Sequence, residues 1–235
     1  MRNLASLRKE LYGHANKGKA KILSGFFKTG KGEYGEGDIF IGVTVPQSRA
    51  IAKKFHHLEI RDIGKLLRSK IHEERLVAIL LLVHRFMDGG NKARKETYDF
   101  YLKNTKYINN WDLVDLSADK IVGAYLLDRN TDILHKLTRS KNIWERRIAV
   151  IATFQFIKNY HYNETIRVCS NLLEDDHDLI HKAAGWMLRE VGKRSLATEE
   201  LFLKKKYKKM PRTMLRYAIE RFPEKKRKEY LEGKL

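Results

Sequence analysis

Cysteine, proline and long apolar runs are nearly missing from this 235-residue chain. The single cysteine, Cys169, excludes an intramolecular disulfide and any cluster of thiolates around zinc. The three prolines, Pro46, Pro211 and Pro223, leave room for helices over most of the length. The longest apolar run, Leu76 to Val83, falls far short of the ~20 residues that span a bilayer. The N-terminal MRNLASLRKE carries no apolar stretch of signal-peptide length. These absences predict a reduced, cytoplasmic protein. Hydrophobic residues make up 43% and are spread along the whole chain, which excludes general disorder. At about 150 residues per domain, one or two domains are expected.

Negative charge is also short. The 29 acidic residues face 48 Lys and Arg, a formal charge of +19. Such a surplus implies an anionic partner, and nucleic acid comes first because phosphates attract Lys and Arg without any reading of sequence. An anionic membrane surface comes second. It requires a basic amphipathic helix, of which Leu201 to Lys209 (LFLKKKYKK) is only a short version.

What is abundant is helical periodicity. From Gln47 onward, segments such as ERLVAILLLVHRFM, RRIAVIATFQFIK and IHKAAGWMLREVGK space apolar residues by three and four. Only Asp38 to Val45 (DIFIGVTV) alternates like a short extended stretch. The glycine-rich Thr29 to Asp38 reads as a loop, and the 28 residues before it are too few to fold alone. The expected organisation is one domain: an N-terminal helical segment (1–28), a glycine-rich loop (29–46) and repeats (47–235).

The repeat shows in five apolar anchors, Ala78, Val114, Ala149, Ala184 and Ala218, separated by 36, 35, 35 and 34 residues. One further helix fits in each gap: Ala93–Thr105, Thr131–Arg139, Asn163–Glu174 and Thr198–Lys206. This spacing predicts an all-α fold, an α-solenoid of helix pairs. The tetratricopeptide and ankyrin signatures are missing, so the pairs are HEAT-like. Arg147, Lys182 and Arg216 each stand two places before an anchor, at about 160° from the core direction at ~100° per residue. That register predicts a basic stripe on a concave face.

Several motifs match by spacing alone. Gly13 to Ala20 (GHANKGKA) follows a phosphate-loop pattern but ends in alanine where a magnesium-binding hydroxyl is needed. Gly30, Gly32 and Gly35 fit G-x-G-x-x-G without a preceding strand or a helix directly after. His177 and His181 stand i,i+4 with no third ligand evident, so they read as a pair on a helix surface rather than a metal site. Cys169 reads as a buried small apolar residue.

The three tryptophans, Trp111, Trp144 and Trp186, all lie in anchor helices, and Trp111 and Trp186 point off the core direction. In Asn110 to Asp115 (NWDLVD), Trp111 and Asp115 share one helix face. Asn110 can cap that helix, and Asp112 favours the positive end of its dipole. Asp115 is too far in for that purpose. It is either a partner of Arg147 or Lys120 that holds the stack together, or a functional carboxylate.

The segments NNWDLVD (Asn109–Asp115), NIWERRIAVI (Asn142–Ile151) and IHKAAGWMLRE (Ile180–Glu190) resemble, in order and spacing, those of the AlkD family of alkylpurine DNA glycosylases. GVTVPQSRAIAKKF (Gly42–Phe55) resembles the N-terminal stretch of that family, and the likeness runs from about the glycine loop to Phe222. The resemblance implies a DNA repair hydrolase that works by base excision. Its substrate would be duplex DNA with purines alkylated at N3 or N7, bound without metal, cofactor or membrane, by a monomer. It puts the catalytic carboxylate on Asp115, the aromatic walls on Trp111 and Trp186, and the phosphate-gripping arginine on Arg147 or its neighbour Arg146. Lys182, Arg216 and Arg189 would hold flanking backbone. Two other readings compete: a non-catalytic HEAT-like scaffold on DNA or RNA, and a protein–protein adaptor. A scaffold gives Asp115 no special importance. An adaptor should not lose its partner with added salt, as a phosphate binder does.

Overall fold

A computed structural model describes residues 3–235. All regular structure among them is helical, as the periodicity predicts, and no described helix is long and apolar enough to cross a membrane. The Asp38–Val45 stretch forms no strand. Its one bridge pairs Ile39 with Ile71, where His72 N–H donates to the Ile39 carbonyl at 2.8 Å. The described residues form two compact units, divided between Ser117 and Ala118.

The first unit contains α1 (Leu4–Gly13), α2 (Lys17–Phe26), α3 (Val45–Lys54), α4 (Ile60–Leu67), α5 (His72–Asp88), α6 (Asn91–Lys103) and the short α7 (Trp111–Asp115). The phosphate-loop look-alike falls on the break between α1 and α2. Pro46 lies in the first turn of α3, behind a capping box formed by Thr44 and Gln47. α5 is apolar on nearly every face, so α3, α4, α6 and α7 can all pack against it. Its first turn is different: His72, Glu73, Glu74 and Arg75 are all charged or polar, and all buried. Glu74 takes a bidentate Arg8 at 3.0 and 2.8 Å and the Tyr12 hydroxyl at 2.8 Å, which ties α1 down. Glu73 accepts the backbone N–H groups of Ile41, Gly42 and Val43 at 3.1, 2.8 and 3.2 Å. Gly42 has φ +82 and lies against the Asn16 carbonyl, so only glycine fits there.

The second unit opens with a π-helical turn (Asp119–Gly123) that runs into α8 (Ala124–Leu126). Then come α9 (Asp132–Thr138), α10 (Ile143–Lys158), α11 (Asn163–Asn171), α12 (Asp178–Gly192), α13 (Leu196–Lys206), α14 (Arg212–Ala218) and α15 (Glu224–Glu232). α10 packs on α12 and α12 on α14, while α9 packs on α11. This is a stack of helix pairs. All five sequence anchors are fully buried, at 0% exposure. The predicted intervening helices appear as α6, α9, α11 and α13.

α12 and α14 approach closely at Gly185, where a Cβ would collide with the Met214 carbonyl and come within 2.5 Å of the Tyr217 Cβ. Gly185→Ala is therefore expected to destabilise the fold by about 1–3 kcal/mol through overpacking. A denaturant midpoint unchanged from wild type would contradict that close approach.

Candidate functional site

Building the site starts with α7. Asn110 caps it: its Oδ1 accepts Trp111 N–H at 2.8 Å, and its Nδ2 donates to Asp38 at 3.2 Å. Trp111 and Asp115, at the two ends of this short helix, are both half-buried. Trp111 stacks on Phe27, with centroids 5.1 Å apart and planes 12° from parallel, and meets the exposed Phe26 edge-on at 5.9 Å. Asp112 is buried, and its two oxygens accept Leu113 N–H at 2.9 Å and His72 Nε2 at 2.8 Å. The two acids of this helix thus have different surroundings.

Behind Trp111 lies a buried polar cluster. His72 Nδ1 meets Asp38 at 3.0 Å, and Arg75 meets the other oxygen of Asp38 at 2.6 Å. An imidazole held by carboxylates at both nitrogens must donate from both, so it carries charge. Burial opposes that charge, but Asp112 and Asp38 outweigh it and raise the His72 pKa. Burial likewise pushes the Asp38 carboxyl up, and His72, Arg75 and Asn110 more than offset it, leaving the pKa lowered. Phe40 stacks on the His72 ring at 4.4 Å. A cavity of about 310 Å³ opens beside the cluster, with Phe27, Phe40, Pro46 and Leu76 among its apolar walls and His72 and Asp112 at its edge.

In the second unit, Lys182 of α12 and Arg216 of α14 line one depression of about 350 Å³ with Asp178, Thr213 and Tyr217. Asp178 holds Lys182 at 2.7 Å, and burial, which would raise the Asp178 pKa, is outweighed by Lys182 and Thr213. Arg216 is exposed and makes no ion pair among the described residues. Trp186 is half-buried, 6.0 Å from the Phe154 ring, with its indole N–H donating to Glu190 at 3.3 Å.

The arginines depart from the predicted stripe. Arg147 is buried, 5% exposed, and donates to the Leu179 carbonyl at 2.6 Å. The 160° count fails there because α10 is covered on several sides, by α9, α11, α12 and the π turn. Arg146 is held by Asp175 at 2.6 Å and by the Ser140 and Lys141 carbonyls. Arg189 pairs with Glu220. Trp144 is core, at 6% exposure. His177 caps α12 by accepting Leu179 N–H at 3.1 Å, and His181 bonds the Asp175 carbonyl. Cys169 is fully buried, and that burial pushes its thiol up to about 12.

The sequence reading missed Asp38, His72, Arg75, Phe27 and Phe40. The visible signal was HEER, four polar residues directly before the longest apolar run, but nothing local indicates their partners.

No curated protein matches this chain. A solved structure described as "Predicted DNA alkylation repair enzyme from Enterococcus faecalis" is similar in fold. Its TM-score is 0.70 over 90% of this chain and 98% of that one, at 17% identity. The description DNA alkylation repair enzyme belongs to the family whose pattern matches residues 7–222, nearly the whole length, and this chain is a member of that family.

Proposed function

We propose that the protein is a DNA glycosylase that hydrolyses the N-glycosidic bond of N3- or N7-alkylated purines in duplex DNA. The observation that carries this reading is the contrast on α7: Asp112 is buried and bonded to His72, whereas Asp115 is half-exposed on the face it shares with Trp111. A purine alkylated at N3 or N7 is already cationic. When its C1′–N bond breaks, the electron pair leaves with a neutral base, so no strong acid is needed. Water then bonds to C1′ and gives up its proton to the Asp115 carboxylate. The Asp115 carboxylate stabilises the positive charge developing on the sugar and orients that water. Trp111 and Trp186 add indole faces to a cationic nucleotide, worth about 0.5–2 kcal/mol.

Phosphate binding rests chiefly on Lys182 and Arg216, which share one depression. Arg147, buried and donating to the Leu179 carbonyl, is left out of the phosphate contacts. Arg146 and Arg189 contribute less: they are held by Asp175 and Glu220 and are far less exposed than Lys182, whose own partner is Asp178. Replacing Lys182 and Arg216 together by alanine should weaken binding to any duplex. It should also flatten the dependence of log K on log salt by about 0.9 per lost contact. An unchanged slope would remove both residues from the interface.

Selection then follows the lability of the glycosidic bond. A neutral base analogue released as fast as 7-methylguanine would refute that. The deciding experiment is release of 7-methylguanine from methylated duplex DNA by wild type and Asp115→Asn side by side. A non-catalytic scaffold would bind DNA and release no base in either.

A further inference from the structure

The buried cluster behind Trp111 is more elaborate than packing of a short helix requires. α7 has only five residues, too few to hold its own orientation. Two independent routes run from it to one side chain. The first is a hydrogen bond: Asp112, the residue after Trp111, meets His72 Nε2 at 2.8 Å. The second is a cluster of rings: Trp111 lies on Phe27 at 5.1 Å, and Phe27 reaches His72 both directly at 5.0 Å and through Phe40, at 5.0 and 4.4 Å. Through Phe40 the interplanar angles are 12°, 24° and 22°, whereas the direct Phe27–His72 meeting is tilted at 41°, so the near-parallel route through Phe40 sets the plane of the rings. His72 is itself fixed, 2% exposed, by Asp38, which Arg75 and Asn110 hold in turn. A hydrogen bond sets where α7 begins, and the stack sets how the indole is turned.

We infer that His72 is a positioning residue that fixes Trp111 from two sides, through Asp112 and through the Phe40–Phe27 stack. It touches no substrate. Its part in base release rests on the reading of Trp111 and Asp115 given above; its hold on Trp111 does not. Without the imidazole, Asp112 Oδ2 would lose its partner and Asp38 Oδ2 would keep only Asn110, so the wrong residue at 72 moves the helix rather than merely leaving a gap.

The test uses the full-length protein labelled with 5-fluorotryptophan, its three fluorine resonances assigned by single Trp→Phe changes. His72→Gln keeps a donor but cannot bond both carboxylates. Phe40→Leu removes the near-parallel stack between Phe27 and His72 and leaves both the bond to Asp112 and the tilted Phe27–His72 contact. Each is expected to shift or broaden the Trp111 resonance while those of Trp144 and Trp186, in the other unit, stay in place. General loosening would move all three. If His72→Gln does not fold, Phe40→Leu decides. A Trp111 resonance unmoved in Phe40→Leu, or moved only together with the other two, overturns the inference. In parallel, His72→Gln should slow release of 7-methylguanine about 10–100-fold, the cost of small misplacements at a reacting centre. Its affinity for undamaged duplex should stay within about twofold of wild type, since the phosphate contacts lie elsewhere. Equal release rates would leave the indole fixed for some purpose other than catalysis and overturn the catalytic half. Absence of base release by the wild type would instead sink the functional reading, with the fluorine result still deciding the placement of Trp111.

Discussion

Asp115→Asn is expected to lower release of 7-methylguanine from methylated duplex by about 10²–10³-fold while leaving affinity for the DNA nearly intact. That factor is typical for loss of one preorganised electrostatic group at a transition state. The substitution keeps the size of the side chain and removes its charge, so it probes the field at the sugar rather than the packing of α7. The effect belongs in the single-turnover rate, because the oxocarbenium-like charge exists only in the transition state. The neighbouring acid provides the control. Asp112 is buried against His72, so its loss should appear as instability of α7 before it appears as chemistry. Undiminished release by a folded Asp115→Asn protein would exclude the carboxylate as the catalytic group.

Glu199→Gln is expected to stabilise the protein at pH 8 and to flatten the fall in its stability between mildly acidic and mildly alkaline pH. Glu199 is 2% exposed on α13, packed over Gly192, and its Oε1 has no hydrogen-bond partner among the described residues. Burial, aided by the charge of Glu200 and opposed by Arg189, raises its pKa from 4.5 to about 8. The sign follows from proton counting. Between pH 4.5 and about 8 the folded chain keeps a proton that the unfolded chain has lost, so stability falls as pH rises through that window. Below it there is no penalty, and above it the loss is complete. The full shift corresponds to about 4–5 kcal/mol as an upper bound, since one unit is about 1.4 kcal/mol. Denaturant midpoints of wild type and Glu199→Gln at pH 5 and pH 8 measure it. Parallel pH slopes would show that Glu199 does not hold its proton in the fold.

The helix-pair array was legible because it is a one-dimensional property. Ala78, Val114, Ala149, Ala184 and Ala218 recur at nearly equal intervals, and all five are fully buried. Local capping was equally legible: Asn110 ahead of Trp111 and Thr44 ahead of Pro46 do what their side chains allow. Lys182 and Arg216, given the same register, line one surface depression, whereas Arg147 is buried. A helical wheel drawn from one anchor assumes a single buried face, whereas α10 is covered by neighbours on several.

By itself, the sequence determined an all-helical chain of repeated pairs, a large surplus of positive charge and a short helix with two acids and an indole. Periodicity and charge are set by the order of residues, so they can be read without coordinates. Only the tertiary structure decided which of those acids is spent inside the protein, which arginines are already engaged, and that His72, Asp38 and a stack of rings stand behind Trp111. These depend on partners such as Asp112 and His72, 40 residues apart, brought together by packing that no local pattern records.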